Sequence, residues 1–304
     1  MGRICVIGSI NMDMVTRTPR VPAMGETITG NGFSMHHGGK GANQAVAAAR
    51  LGGNVSMIGC VGDDLFGSAM RDAFVSDGMD VSGIRAVSGI PTGTAAITVC
   101  DGDNFIILDA GANACVTPDY LMQTADIWQS ADSIILQNEI PHTANAYLLS
   151  HKPSGATVLY NPAPSMPQSA ELLPYVDILV VNEHECADLA GCAKIKTIAH
   201  ATEGVNLLRQ QGAAAVIVTL GAQGALCCDQ TGAVHVPAFP VAAVDTTAAG
   251  DCFCAAVAVQ LSNGAALSDA VRFASAASAV TVTRAGAQPS LPTRAEVETF
   301  LKAH

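Results

Sequence analysis

From residue 55 to residue 220, short apolar runs alternate with segments of helical character, and this alternation restricts the fold more than any other feature of the chain. The runs at 55–58, 133–137, 157–160, 177–181 and 215–220 are built mainly from Val, Ile and Leu, and helical segments at 64–75, 142–150, 168–173, 183–189 and 202–211 lie between them. A strand covered on both faces reads as a continuous apolar run, so the pattern predicts an α/β fold: a mostly parallel sheet with helices on both sides. The run at Arg3–Ile7 joins the same sheet, a late hairpin is expected at 223–228 and 233–236, and helices at 248–261, 266–281 and 294–302 close the chain. With 304 residues, 49% of them hydrophobic, one large core is affordable and a single domain is expected over 1–304. Ligands of such sheets bind beyond the carboxyl ends of the strands. The first candidates are therefore the polar residues there: Asn11 and Asp13 in a loop after the first strand, then Glu139, Asn161, Asn182, Glu185 and the stretch from Thr219 to Gly224.

A second set of segments, at 14–18, 26–35, 92–100 and 104–108, is rich in Thr, Val, Ile and Phe and stands outside the main alternation. Asp101-Gly102-Asp103 reads as a hairpin turn between the last two. Together they predict a small β-sheet, inserted from about 12–37 and 91–110, that projects from the main body.

Two stretches carry chemistry. In Val244-Asp245-Thr246-Thr247-Ala248-Ala249-Gly250-Asp251, the residues at 245–247 are good N-cap types and small residues follow at the start of a long Ala/Val helix. The N–H groups of Ala248, Ala249, Gly250 and Asp251 would form an anion hole with the positive end of the helix behind it, and the Asp251 carboxylate beside the hole would serve as a base. A capped core helix with a solvated Asp explains the same letters equally well. In the second stretch, Gly38-Gly39-Lys40-Gly41-Ala42-Asn43-Gln44, glycines permit close backbone approach and Lys40 and Asn43 offer donors. It is not a P-loop, because Gly41 stands where Ser or Thr is required, and no G-x-G-x-x-G fingerprint occurs in the chain. Residue patterns alone leave an Asx turn at Asn11 and Asp13, and a capping box at Asn182 and Glu185, as open alternatives.

Both stretches, together with Gly8-Ser9-Ile10-Asn11-Met12-Asp13, Asp109-Ala110-Gly111-Ala112-Asn113, Asn182-Glu183-His184-Glu185, Thr219-Leu220-Gly221-Ala222-Gln223-Gly224 and Thr283-Arg284-Ala285-Gly286-Ala287-Gln288-Pro289-Ser290, resemble the ribokinase (PfkB) family of carbohydrate kinases over essentially the whole chain. The resemblance implies ATP-dependent phosphorylation of a sugar, D-ribose at its 5-hydroxyl before 2-deoxyribose, fructose or adenosine. It assigns Asn11, Asp13, Gly39, Lys40, Gly41, Ala42, Asn43 and Glu139 to the sugar and Asp251 to catalysis. The nucleotide would lie on Asn182, Thr219, Leu220, Gly221, Ala222, Gln223, Gly224, Gly250, Asp251 and Ser275. Mg2+ would be held by Glu185 through water, and K+ or a similar monovalent cation by Asp245, Thr247, Thr281, Arg284, Gly286 and Ser290, mainly through carbonyls. The small sheet would be a lid over the sugar and the contact of a homodimer. Cys252 and Cys254 depart from the Thr and Asn usual in the family, and neither change removes the base or the N–H hole.

Composition narrows the alternatives. Lys and Arg number 15 against 26 Asp and Glu, a formal charge of -11 with no basic run, which argues against nucleic acid as a partner. The opening apolar run is too short for a signal peptide and no run approaches the ~18 residues of a membrane span, so a cytosolic protein is expected. The ten cysteines include no C-x-x-C pair and are expected to be reduced and mostly buried. A non-catalytic sugar-binding regulator on the same fold is a further alternative; a dehydrogenase lacks its dinucleotide fingerprint.

Overall fold

The computed structural model describes residues 2–100 and 103–304. The chain opens with β1 (Arg3–Ile7), β2 (Asn11–Arg17), β3 (Gly32–Gly38), α1 (Lys40–Arg50), β4 (Asn54–Gly62), α2 (Leu65–Ser76), β5 (Asp80–Val87), β6 (Gly93–Cys100) and β7 (Asp103–Asp109). Next come α3 (Pro118–Gln123), α4 (Ala125–Trp128), β8 (Ser133–Gln137), α5 (His142–His151), β9 (Thr157–Asn161), β10 (Ile178–Asn182), α6 (Glu183–Ala190) and α7 (Ile198–Gln210). The last elements are β11 (Ala215–Thr219), β12 (Ala225–Asp229), β13 (Gly232–Val236), α8 (Ala249–Ser262), α9 (Leu267–Val282) and α10 (Arg294–Ala303).

Nine strands form one sheet in the order β13-β12-β11-β10-β9-β8-β1-β4-β5, parallel except where β12 meets β11 and β13. Alternation along each strand divides the core in two. Ile4 and Val6 of β1 pack with α1, α8 and α9 on one face, while Cys5 and Ile7 pack with α5, α6 and α7 on the other. Alanines at 45, 48, 255, 256, 274 and 277 let α1, α8 and α9 approach one another closely, and α8 is buried from Asp251 to Val259. The remaining four strands form a separate sheet, β3-β2-β6-β7.

Strand order reverses at β1. From it the chain goes first to β4 and β5 on one side and later to β8 and its successors on the other, which opens a crevice between the carboxyl ends of β1 and β8.

The observed elements correct several expectations. Asn11 and Asp13 do not sit in a loop: they lie in β2, where residues 11–17 pair with β3 on one side and β6 on the other. The strand expected at 26–35 is β3, displaced to Gly32–Gly38. Strand β5 and the short helices α3 and α4 were not anticipated from the apolar pattern. β6 and β7 pair antiparallel as a hairpin requires, while the turn residues Asp101 and Gly102 lie outside the described residues.

Candidate active site

Side chains tie the crevice together. Ser9 Oγ donates to Glu139 Oε2 at 2.6 Å and accepts from the Gly41 N–H at 3.2 Å, while the Lys40 N–H donates to the same Glu139 oxygen at 3.1 Å. The first turn of α1 therefore begins against a carboxylate, which suits its partial positive charge. Gly39 precedes it at φ +89°, and a Cβ there would lie 2.8 Å from Asn11 N and 2.9 Å from Ser9 O, so only glycine fits. Gly41 is pressed against the Gly8-Ser9 backbone and Ala42 is buried in the core. These two shape the loop and present no side chain to a ligand.

Strand alternation aims Asn11 and Asp13 to the same face of β2. Asn113, in the 3-10 turn Gly111–Cys115, donates Nδ2 to Asn11 Oδ1 at 2.7 Å and accepts the Ile10 N–H at 2.8 Å. The Asn11 carbonyl oxygen is thereby occupied and its Nδ2 is left to donate to a ligand. A Cβ on Gly38 would overlap the Asp13 carboxylate. Burial, reinforced by the negative charges of Glu139 and Asp251, pushes the Asp13 carboxyl up to about 7.

α8 starts differently from the expectation. None of Asp245, Thr246 and Thr247 caps it; the N-cap is Ala248 at φ +60°, the one non-glycine residue with positive φ among the described residues, and no side chain caps the helix. An alanine in this conformation costs roughly 1 kcal/mol, and such strain collects at sites of function. The Ala249 N–H is also not free, since it donates to Thr246 O at 3.2 Å. The N–H groups of Ala248, Gly250 and Asp251 have no acceptor among the described residues, and a Cβ on Gly250 would meet nothing within 4 Å.

Asp251 is buried at this helix start. Its Oδ2 accepts from Asn43 Nδ2 at 3.0 Å and its Oδ1 from Gln44 Nε2 at 3.0 Å. Burial raises its pKa and Glu139 adds to that, against Lys40 and the two amides, which favour the charged form. Burial also works against the charged Lys40, but Asp251, Glu139 and Glu185 outweigh it and raise the pKa of the ammonium. Lys40, Asn182, Glu185, Thr219, Gly250 and Asp251 all line one cleft of about 200 Å³, with Ala248 and Cys254 completing the wall beside α8.

Asn182 and Glu185 form the capping box of α6: Asn182 Oδ1 accepts from the N–H groups of His184 and Glu185, and Glu185 Oε2 accepts from the Asn182 N–H at 2.9 Å. Each keeps one polar atom without a hydrogen-bond partner among the described residues, Asn182 Nδ2 and Glu185 Oε1. Burial raises the Glu185 carboxyl, opposed by that N–H and by Lys40. No group of three or more His, Cys, Asp or Glu suited to a metal exists among the described residues. A single cleft carboxylate with a free oxygen fits a hydrated Mg2+ that arrives with a polyphosphate.

In the stretch after β11, Leu220 turns its side chain into the core, whereas Gly221, Ala222 and Gln223 form an exposed 3-10 turn. Leu220 thus offers a ligand only its backbone. Ser275 is half-buried on α9 and does not line the cleft. In the stretch before α8, Asp245 accepts from the Thr247 N–H and hydroxyl and, across to the loop between α9 and α10, from the Gly286 N–H at 2.9 Å, with its carboxyl lowered by these bonds against burial. The carbonyls of Asp245, Thr247, Arg284 and Gly286 accept no hydrogen bond among the described residues, whereas that of Thr281 accepts the Arg284 N–H. Cys252 and Cys254 are buried, and burial pushes the Cys252 thiol up to about 12.

Three residues of the site had no role in the sequence reading: Ser9, Asn113 and Gln44. Gln44 carried the best signal, an amide in a helix of otherwise small apolar residues, directly beside Asn43.

The model of the pfkB family of carbohydrate kinases matches residues 1–294. The ribokinase of Lactococcus lactis is 42% identical over 99% of this chain and 98% of its own length. The deoxyribokinase of Salmonella typhi is 36% identical, covering 98% of each chain. The structure of Arabidopsis thaliana ribokinase complexed with ribose and ATP superposes with a TM-score of 0.93 at 34% identity, covering 99% of each chain.

Proposed function

The chain belongs to the pfkB family of carbohydrate kinases, and on that premise we propose that it transfers the γ-phosphoryl group of ATP to the 5-hydroxyl of D-ribose, giving ribose 5-phosphate and ADP. The observation that carries this reading is Asp251, a buried carboxylate at the N-terminus of α8 beside N–H groups that lack an acceptor among the described residues.

The sugar lies between Glu139 and Lys40 on the main body and Asn11 and Asp13 on the small sheet. Asn11 Nδ2 and the carboxylates of Asp13 and Glu139 match the donors and acceptors that paired hydroxyls need. Asp251 takes the proton as the 5-hydroxyl O–H bond breaks; the hydroxyl oxygen bonds to the γ-phosphorus, and the bond to the β,γ-bridging oxygen breaks to release ADP. Charge developing on the transferring group is met by the N–H groups of Gly250 and Asp251 and by Lys40. Glu185 Oε1 would hold, through water, the Mg2+ that arrives with ATP, an ion that would supply neutralisation of phosphate charge. Asn182 Nδ2 would reach a phosphate, and the 219–224 turn and Ser275 would border the nucleotide. A monovalent cation such as K+ would be held in the loop of Asp245, Thr247, Arg284, Gly286 and Ser290 by carbonyl oxygens.

The small sheet would act as a lid that keeps water from competing with the sugar. Its face opposite Asn11 and Asp13 carries Phe33, Met35, Phe105 and Ile107, each more than half exposed, which supports a homodimer formed there. Ten free cysteines support a reducing, cytosolic setting, and no helix among the described residues is long and apolar enough to cross a membrane. The relationship to a deoxyribokinase makes 2-deoxyribose the strongest competing substrate, and Asn11 is the residue proposed to reject it. Phosphorus NMR of the products tests the reading: a new phosphomonoester on C5 of ribose is expected, and a phosphate elsewhere on the sugar contradicts it.

A further inference from the structure

Behind Asp251 lies a line of amides. Gln44 is fully buried on α1, one turn after Lys40. Its Nε2 donates to Asp251 Oδ1 at 3.0 Å and to Asn161 Oδ1 at 3.3 Å, and its Oε1 accepts from Gln137 Nε2 at 2.7 Å. Gln137 ends β8 and Asn161 ends β9, where Asn161 Nδ2 is anchored on Val180 O at 2.9 Å. A Cβ on Gly8 would overlap Gln137 Oε1, so the end of β1 leaves room for this side chain.

The chemistry of the partners fixes every orientation. An ionised carboxylate only accepts, so Gln44 must turn its NH2 group toward Asp251, which points its carbonyl oxygen the other way. Gln137 supplies the donor needed there. Were Gln137 apolar, Gln44 would bury an unpaired carbonyl or rotate it against the carboxylate, and either arrangement is unfavourable. Asp251 Oδ2 faces Asn43, on the side of the proposed sugar.

We propose that Gln44, oriented by Gln137, is a positioning residue for the base: it holds Asp251 Oδ1 and so presents Oδ2 to the attacking hydroxyl. This rests on the reading of Asp251 as the base of a sugar kinase. Gln44 touches neither substrate. The same hydrogen bond favours the charged carboxylate and offsets part of the burial that raises its pKa. Other charged or titratable groups around Asp251 are Lys40 on α1, Glu139 after β8, Asp13 on β2, Glu185 on α6 and Cys252 and Cys254 on its own helix.

The test is the pH profile of kcat for Gln44→Met, with ribose and ATP, beside wild type. Removing a donor to the charged form raises the Asp251 pKa, so the acid limb moves to higher pH. Turnover at its plateau falls about tenfold or more through lost orientation, while KM for ribose changes by less than about threefold. Gln137→Met moves the limb in the same direction by a smaller amount. A folded Gln44→Met with wild-type kcat and an unmoved acid limb overturns the proposal. So does a loss of turnover with no movement of the limb, which marks a merely structural amide. Should Gln44→Met prove unfolded by circular dichroism, Gln137→Met is judged by the same two criteria. A wild-type protein that releases no ADP with any sugar refutes the kinase reading itself and this inference with it; failure of the inference alone leaves wild type active.

Discussion

Asn43 Nδ2 donates to Asp251 Oδ2 at 3.0 Å, joining two residues 208 positions apart and locking the start of α1 to the start of α8. The same carboxylate oxygen is the one assigned to take the substrate proton. Replacing Asp251 by Asn keeps the shape and removes the base, so turnover should fall by roughly 10²-fold or more. Ribose binding by calorimetry should stay within a few fold of wild type. Near-normal turnover of Asp251→Asn would remove Asp251 from the catalytic role.

Gly250 is open on the cleft side, and an added Cβ would meet no described atom within 4 Å beyond its chain neighbours and its own helix backbone. Gly250→Ala should therefore leave the melting temperature unchanged or raise it, since alanine is favoured over glycine in a helix by up to about 1 kcal/mol. The methyl group would instead crowd the phosphates, raising KM for ATP or lowering kcat by about tenfold or more. Thermal melts and steady-state kinetics on one preparation separate the two effects, and full activity would show that no phosphate approaches this helix start.

Asp13 gives a pH prediction of definite sign. Its folded pKa, about 7, lies above the ordinary 3.8, so between those values the folded protein binds more protons than the unfolded chain. The stabilising contribution is fully present below the unfolded value and is lost as pH rises through about 7. Asp13→Asn removes the buried charge. Its melting temperature should exceed that of wild type at pH 8 and the difference should shrink toward pH 5, while KM for ribose rises at both. A difference that grows toward acid pH would contradict the raised pKa.

Asp245 organises the proposed cation loop by accepting from Thr247 and from the Gly286 N–H. Asp245→Asn keeps one carbonyl oxygen and adds an NH2 group that faces donors. The loop should loosen, and the increase in turnover that wild type shows on replacing a bulky organic cation by K+ should shrink or vanish. An unchanged K+ response in Asp245→Asn would place the cation elsewhere.

The architecture was legible because strands such as β8, β10 and β11 are buried on both faces and their sequences are continuous apolar runs. Strand β5 escaped because it is an edge strand with a mixed burial pattern and a composition, Asp-Val-Ser-Gly-Ile-Arg, that does not read as one run. Asn11 and Asp13 read as a loop because Asn and Asp are poor strand formers, yet pairing on both sides holds them extended, with Gly38 and Gly93 opposite Asn11. The cap of α8 misled in the opposite sense: favourable capping residues stand at 245–247, but the turn uses Asp245 for the loop and leaves Ala248 at the helix start. Asp251, Lys40, Asn182 and Glu185, taken from separate motifs, line one cleft. The partners that orient them, Asn113 for Asn11 and Gln44 for Asp251, come from distant parts of the chain, so even the polar Gln44 beside Asn43 does not say which group it holds.

The most direct test of the account is ATP-dependent ADP release measured side by side with D-ribose, 2-deoxyribose, fructose and adenosine in the presence of Mg2+ and K+. The account predicts a kcat/KM for ribose at least about tenfold above that for 2-deoxyribose, the discrimination expected when a site built to bond a hydroxyl meets a substrate lacking it. Equal or greater efficiency with 2-deoxyribose, or with either of the other two, would contradict the assignment of Asn11, Asp13 and Glu139 to ribose.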